Sequence, residues 1–282
     1  MYHTISYHFS FLIHTTSIIN TKYTACSRTQ KHLVKSQRAA LGIDLARYIP
    51  LWQNKQYKQK VVVLGAGSFG TAMAYAAAQG GNDVIIYMRD ANQCATINKE
   101  HRNPKYLSEF SLHVEDGSGS EIRGICTLKE LKEELSTPGV VILHALPCQK
   151  TPLWFKEHAD LIPHDALICC TAKGLYLETN QLMGHAILDS LDRADQPLAF
   201  LSGPSFAEEI MKGYPTTLVA ASNDLFQAVR VKKILSNFKT IRVFTSDDPV
   251  GVQVRGIYVM LFGIIYRILL LEVLNLSNFI RN

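Results

Sequence analysis

Four short stretches of this chain carry residue types at spacings that could do chemistry on an anionic ligand. The hexapeptide GAGSFG fits G-x-G-x-x-G through Gly65, Gly67 and Gly70, and includes Ser68 and Phe69. In that pattern the first glycine permits a tight turn, the second lets the backbone approach a pyrophosphate, and the third lets a helix pack close to a strand. A helix opening there would present unpaired N–H groups and a partial positive charge to phosphate oxygens. About twenty residues further on, YMRD ends in Arg89 and Asp90. At that distance an acidic residue can accept from a ribose 2′-OH, and an arginine can accommodate a 2′-phosphate. Both NAD and NADP therefore stay open, and Asp90 reads equally well as a helix cap. The third stretch, CTAKG, places Lys173 just past an apolar run, where a lysine can orient an anion or polarise a carbonyl. The fourth, LSGPSFAEE, offers backbone N–H groups near Gly203, Ser205 and Ala207. His144 also ends an apolar run, and a lone histidine there reads as structural, with no chemical role assigned.

These stretches need elements to hold them at one edge. From Lys60 the chain reads as an apolar strand, the glycine turn, a small-residue helix from about Ser68 to the Gly80–Gly81 stop, and a second apolar strand. The short β-branched runs at 61–63 and 84–86 have no polar alternation, as in a sheet covered on both faces. Residues 91–101 form a helix capped by Asp90, and TLKELKEEL opens with a capping box from Thr127 to Glu130. GVVILHALP, DALICCTAKG, QPLAFLSGPS, PTTLVAAS and TIRVFTS are further strands. A second capping box, Ser205 to Glu208, follows the LSGPS turn, and residues 224–236 form an amphipathic helix. Repeated strand–helix units of this length give an α/β fold with a doubly wound, mostly parallel sheet, Rossmann-like in its glycine turn.

Length and composition narrow the classes further. The chain has 282 residues, 47% hydrophobic and 19% charged, enough for a sizeable core. Its net charge of +5 is unevenly placed. Residues 1–43 contain no Asp or Glu and five basic residues, leaving 24 Lys and Arg against 24 Asp and Glu in the rest. The body is balanced, so no basic face argues for nucleic acid, and phosphate binding must be local. The six cysteines (Cys26, Cys94, Cys126, Cys148, Cys169, Cys170) form no C-x-x-C pair, and no histidine cluster has zinc spacing, so no metal site is expected. The acid-free, hydroxyl-rich leader has the composition of an organelle transit peptide, plastid ahead of mitochondrion, with a cytoplasmic product as the alternative.

The ordered blocks VLGAGSFGTAMA, HALPCQ, TAKGL, LSGPSFAEEI, PTTLVAAS and RVFTSDDPVGVQV together resemble the NAD(P)-dependent glycerol-3-phosphate dehydrogenases of bacterial and plastid type, over roughly residues 58 to 254. That resemblance implies hydride exchange with NAD or NADP between dihydroxyacetone phosphate and sn-glycerol 3-phosphate, for glycerolipid precursor synthesis. It places Gly65, Gly67, Ser68, Phe69, Gly70 and Arg89 against the cofactor, with Ala207. It sets Lys173 against both cofactor and substrate, and Gly203 and Ser205 at the substrate. A homodimer is left open.

The family pattern stops after GVQV. The resemblance implies a general acid–base lysine in a G-A-x-K-N helix that begins an all-helical second domain. Counted from Gly251, that position holds Val259. The domains expected are a leader over 1–57, a dinucleotide-binding domain over 58–250, and a divergent apolar tail over 251–282 in place of the helical domain. Very low turnover, a non-catalytic dinucleotide module or inactive partner of a full-length subunit, and poor solubility follow as expectations. Residues 256–274 approach the ~20 residues of a membrane span. Arg267 and Glu272 interrupt them, so insertion is not expected, and a membrane-tethered form is the outlying alternative.

Overall fold

The computed structural model describes residues 58–114, 121–236, 240–256 and 258. The leader 1–57, residue 257 and the tail from Val259 onward lie outside the described residues. An eight-stranded sheet dominates, with order β10-β9-β8-β5-β4-β1-β2-β3. Its strands are β1 (Lys60–Leu64), β2 (Asp83–Tyr87), β3 (Ile122–Ile125), β4 (Val141–His144), β5 (Leu167–Cys170), β8 (Leu198–Ser202), β9 (Thr216–Ala221) and β10 (Ile241–Ser246). A small antiparallel hairpin, β6 (Leu175–Tyr176) with β7 (Gln181–Leu182), stands apart. The helices are α1 (Ser68–Gln79), α2 (Ala91–Glu100), α3 (Leu128–Leu135), α4 (Thr151–Glu157), α5 (Met183–Leu191), α6 (Ala207–Met211) and α7 (Leu225–Leu235), followed by a helix over 249–256.

The absence of polar alternation in the strands follows from burial on both faces. In β1, Val61 and Val63 enter the core under α1 and α7, while Val62 and Leu64 enter the opposite core with Phe155 and Ile187. All four are fully buried, each contributing about 1.5–3 kcal/mol relative to exposure. β1 pairs in parallel with β2 on one side and β4 on the other. The chain thus leaves β1 in one direction across the sheet and later returns to its other side. That reversal opens a crevice at the carboxyl ends of β1 and β4, where open α/β sheets take ligands.

The expected Gly80 stop holds: α1 ends at Gln79, and a Cβ on Gly80 would lie 2.5 Å from the Ile234 carbonyl oxygen. The Asp90 cap and the Thr127–Glu130 capping box are also present. The Ser205–Glu208 box is not. The N-cap of α6 is Phe206, without a side-chain cap, and Ser205 Oγ instead donates to the Gly203 carbonyl at 3.4 Å. The helix begins past the Gly203–Pro204 turn, so the hydroxyl turns back into that turn. β9 runs antiparallel to β8, because the short α6 excursion brings the chain back along the same edge rather than across the sheet.

The helix over 249–256 packs on this body. Val252 joins the second core, Gly184 N–H donates to Gln253 Oε1 at 3.1 Å, and a Cβ on Gly256 would lie 2.6 Å from Ser202 Oγ. Among the described residues no helix is long and apolar enough to cross a membrane, and no group of three or more His, Cys, Asp or Glu could hold a metal ion.

Candidate functional site

The turn after β1 is built from glycines under different constraints. Gly65 has φ +107°, and a Cβ there would sit 2.9 Å from the Ala145 carbonyl oxygen. Its N–H donates to the Tyr87 carbonyl at 3.1 Å, which ties the turn to β2. Gly70 lies on the first turn of α1, where a Cβ would fall 2.1 Å from the Gly65 carbonyl oxygen. Gly67 is the N-cap of α1, with ordinary extended backbone at φ −73°, and nothing lies within 4 Å of where its Cβ would be. That open side faces a cleft of about 430 Å³ lined by Gly67, Ser68, Phe69 and Gly70 from this turn.

The other walls come from the ends of three more strands. Ala145, Leu146 and Pro147 follow β4, Thr171, Ala172 and Lys173 follow β5, and Ser205, Phe206 and Ala207 follow β8. Ala145 N–H donates to the Leu64 carbonyl at 2.9 Å and Thr171 N–H to the His144 carbonyl at 3.1 Å, so the sheet ladder extends to the rim of the cleft. Lys173 crosses the cleft: its Nζ donates to the Gly203 carbonyl at 3.0 Å and lies 5.9 Å from the Phe69 ring centroid. Burial lowers its pKa from the ordinary lysine value, because the charged form loses solvation. No carboxylate pairs with it among the described residues. Gly203 has φ +156°, and a Cβ there would fall 2.5 Å from the Thr217 carbonyl oxygen.

The structure therefore brings Gly67, Ser68, Phe69, Gly70, Lys173, Ser205 and Ala207 around one cavity, while Gly65 and Gly203 do not line it and Gly203 meets it through the carbonyl that accepts from Lys173. Arg89 stands apart at the end of β2, exposed and without a hydrogen-bond or ion-pair partner among the described residues. The neighbouring Asp90 carboxylate is committed. Its Oδ1 accepts from Asn92 N–H at 2.9 Å and Gln93 N–H at 3.1 Å, and its Oδ2 pairs with Lys105. That lysine and those amides hold its pKa below the usual carboxylate range. Sequence reasoning missed the wall after β4. The signal was present in HALP, an apolar strand stopped by proline at the same edge as the glycine turn.

His144 serves the fold. It is fully buried, and its Nε2 lies 2.9 Å from Thr151 Oγ1. That hydroxyl donates to the Pro147 carbonyl at 3.0 Å, so Nε2 carries the proton. Nδ1 is left without a partner among the described residues. Protonating it would bury an unpaired charge, which depresses its pKa to about 3. The unfolded chain binds this proton below about pH 6.5 and the folded chain does not, so stability is present above that pH and falls as the medium acidifies toward pH 3. We expect His144→Gln, which keeps a donor toward Thr151, to flatten the acid limb. The loss between pH 6 and 4 should shrink by up to ~1.4 kcal/mol per pH unit, read from urea midpoints at each pH.

Comparisons with known proteins agree with this fold. Residues 60–228 match the family described as NAD-dependent glycerol-3-phosphate dehydrogenase N-terminus. Over 197 residues the chain is 33% identical to a glycerol-3-phosphate dehydrogenase [NAD(P)+] of Brucella canis, covering 70% of this chain and 56% of the relative. It is 35% identical over 197 residues to that of Halothermothrix orenii, covering 70% and 54%. The crystal structure of glycerol-3-phosphate dehydrogenase from Coxiella burnetii superposes with TM-score 0.60 at 27% identity, over 71% of this chain and 57% of that one. The Plasmodium falciparum glycerol-3-phosphate dehydrogenase structure, at 20% identity and TM-score 0.61, shares the fold. The chain spans about half the length of the curated relatives it matches.

Proposed function

The chain belongs to the NAD-dependent glycerol-3-phosphate dehydrogenase family, and on that premise we propose that the cleft between β1 and β4 binds NAD(P)H for interconversion of dihydroxyacetone phosphate and sn-glycerol 3-phosphate. The observation that carries this reading is the convergence of the glycine turn, Lys173 and the Ser205–Ala207 segment on one cavity. The residues fit a dinucleotide. The Gly67 side of the turn is open to the cleft, and the N–H groups of Gly67, Ser68 and Phe69 have no partner among the described residues. They would cradle a pyrophosphate at the N-terminus of α1. When bound, the nicotinamide supplies the hydride. Lys173 would hold the phosphate or carbonyl oxygen of the substrate by charge, and Ser205 would border the same oxygens. Supply of glycerolipid precursors in a plastid is the setting that the family blocks and the acid-free leader support.

Proton transfer to the substrate oxygen needs a positioned acid–base group, whose loss typically costs ~10²–10⁴ in rate. By the resemblance, Val259 stands at the family's lysine position, and we propose that this chain binds the dinucleotide and turns over very slowly. Binding of NADPH to the purified chain, followed by fluorescence, tests the first half; no saturable binding would sink it. Oxidation of NADPH with dihydroxyacetone phosphate tests the second, and ordinary turnover would refute it.

At the adenosine end, the committed Asp90 carboxylate leaves Arg89 as the group facing solvent beside the ribose position. We therefore propose a preference for NADP over NAD. Arg89→Ala should weaken NADPH binding by about ten- to a hundredfold, the ~1.5–3 kcal/mol of a hydrogen bond to a charged group, and leave NADH binding unchanged. Equal losses for both would show that Arg89 does not read the 2′-phosphate.

A further inference from the structure

Under the glycine turn lies a pair of buried amides that neither the cleft nor the sequence motifs include. Asn103 is fully buried and Gln93 is 5% exposed. Both donate to one acceptor, the Ala66 carbonyl: Gln93 Nε2 at 3.1 Å and Asn103 Nδ2 at 3.0 Å. Asn103 Nδ2 also donates to Thr71 Oγ1 at 2.8 Å, on the first turns of α1. Its Oδ1 accepts from Gln93 Nε2 at 2.8 Å and from the backbone N–H groups of Lys105 at 3.1 Å and Tyr106 at 3.3 Å. Backbone N–H groups can only donate, so the Asn103 amide has one admissible orientation, with its NH₂ toward Ala66.

In a trans peptide the carbonyl and the following N–H point in opposite directions. Two donors draw the Ala66 carbonyl into the buried side. The Gly67 N–H of the same peptide therefore points away from them, and Gly67 lines the cleft. We infer that Asn103, with Gln93, is a positioning residue for dinucleotide binding: it fixes the Ala66–Gly67 peptide so that the Gly67 N–H is presented to the pyrophosphate. Through the Lys105 and Tyr106 amides it also joins the turn to the segment whose Lys105 pairs with Asp90. A buried carbonyl satisfied twice has no incentive to flip, which keeps the N–H preorganised before ligand arrives.

The inference rests on the dinucleotide reading above, and the test separates the two. Asn103→Asp is isosteric but sets a carboxylate oxygen against the Ala66 carbonyl. We expect the variant to bind NADPH about tenfold or more weakly, the order of one charge-assisted hydrogen bond. Adenosine 2′-phosphate, which lacks the pyrophosphate, should bind it as it binds the wild-type chain. Gln93→Leu removes one of the two donors and should show the same ligand pattern with a smaller loss; it also serves if Asn103→Asp does not fold. Equal losses for both ligands, or a loss that follows only the folded fraction, would reduce the pair to a structural role and overturn the inference. Unchanged NADPH binding in a folded variant would overturn it as well. A wild-type chain that binds no NADPH would sink the dinucleotide reading itself.

Discussion

Gly70→Ala should destabilise the chain and with it dinucleotide binding, whereas Gly67→Ala should leave it folded but weaken the binding. The two glycines are three residues apart in one motif, yet their surroundings are opposite. A Cβ on Gly70 would lie 2.1 Å from the Gly65 carbonyl oxygen and 3.2 Å from Ala145 Cβ. The obstacle is backbone at the base of the turn, so α1 must move away from β1. Such overpacking costs typically ~1–3 kcal/mol and occasionally more, against a total stability of about 5–15 kcal/mol. A Cβ on Gly67 meets nothing within 4 Å, and φ −73° suits any residue. Its methyl would stand in the cleft where the pyrophosphate must approach. The expected result is a lowered Tm for Gly70→Ala, and for Gly67→Ala a wild-type Tm with affinity for NADPH reduced at least about tenfold, ~1.4 kcal/mol. Wild-type affinity in Gly67→Ala would show that the pyrophosphate does not lie against this turn.

That contrast marks what the sequence could convey. The G-x-G-x-x-G spacing announces the turn, because its constraint is local: three glycines in six residues between an apolar strand and a small-residue helix. The long apolar runs of β1, β4, β5 and β8 are equally legible, since burial on both faces leaves no polar residue to confuse the period. β3 escapes notice because it is a four-residue edge strand, IRGI, with Arg123 exposed. α4 escapes because it is short and contains Pro152, although that proline lies at the start of the helix, where its missing N–H costs nothing. The amide pair is invisible for a different reason. Gln93 and Asn103 look like surface residues, and only the tertiary approach of the Ala66 carbonyl gives them a task. A weak signal existed: Gln93 shares the inward face of α2 with Ile97, four residues on, and Asn-Pro at 103–104 is a turn former.

Lys173→Met should remove most of the affinity for anionic ligands while leaving the chain at least as well folded. Lys173 is a cation held half out of water with its Nζ on a neutral carbonyl, that of Gly203 at 3.0 Å, and with no carboxylate partner among the described residues. A charge in that state is unfavourable for the apo chain and is relieved when a phosphate or pyrophosphate oxygen arrives. The lost charge-assisted bond corresponds to ~1.5–3 kcal/mol, or about ten- to a hundredfold in affinity. The pH dependence carries the sign of the same physics. Burial lowers the folded pKa below the ordinary lysine value of 10.5, so between the two the unfolded chain binds the extra proton. Lys173 therefore contributes stability that rises with pH across that window, while affinity for an anion falls as the lysine loses its charge. The Lys173 contribution to both should vanish in Lys173→Met, read as the difference from the wild type in NADPH titrations and in thermal unfolding from neutral to alkaline pH. If the variant binds NADPH as tightly as the wild type, and its alkaline decline persists, the cation in the cleft is not what holds the ligand.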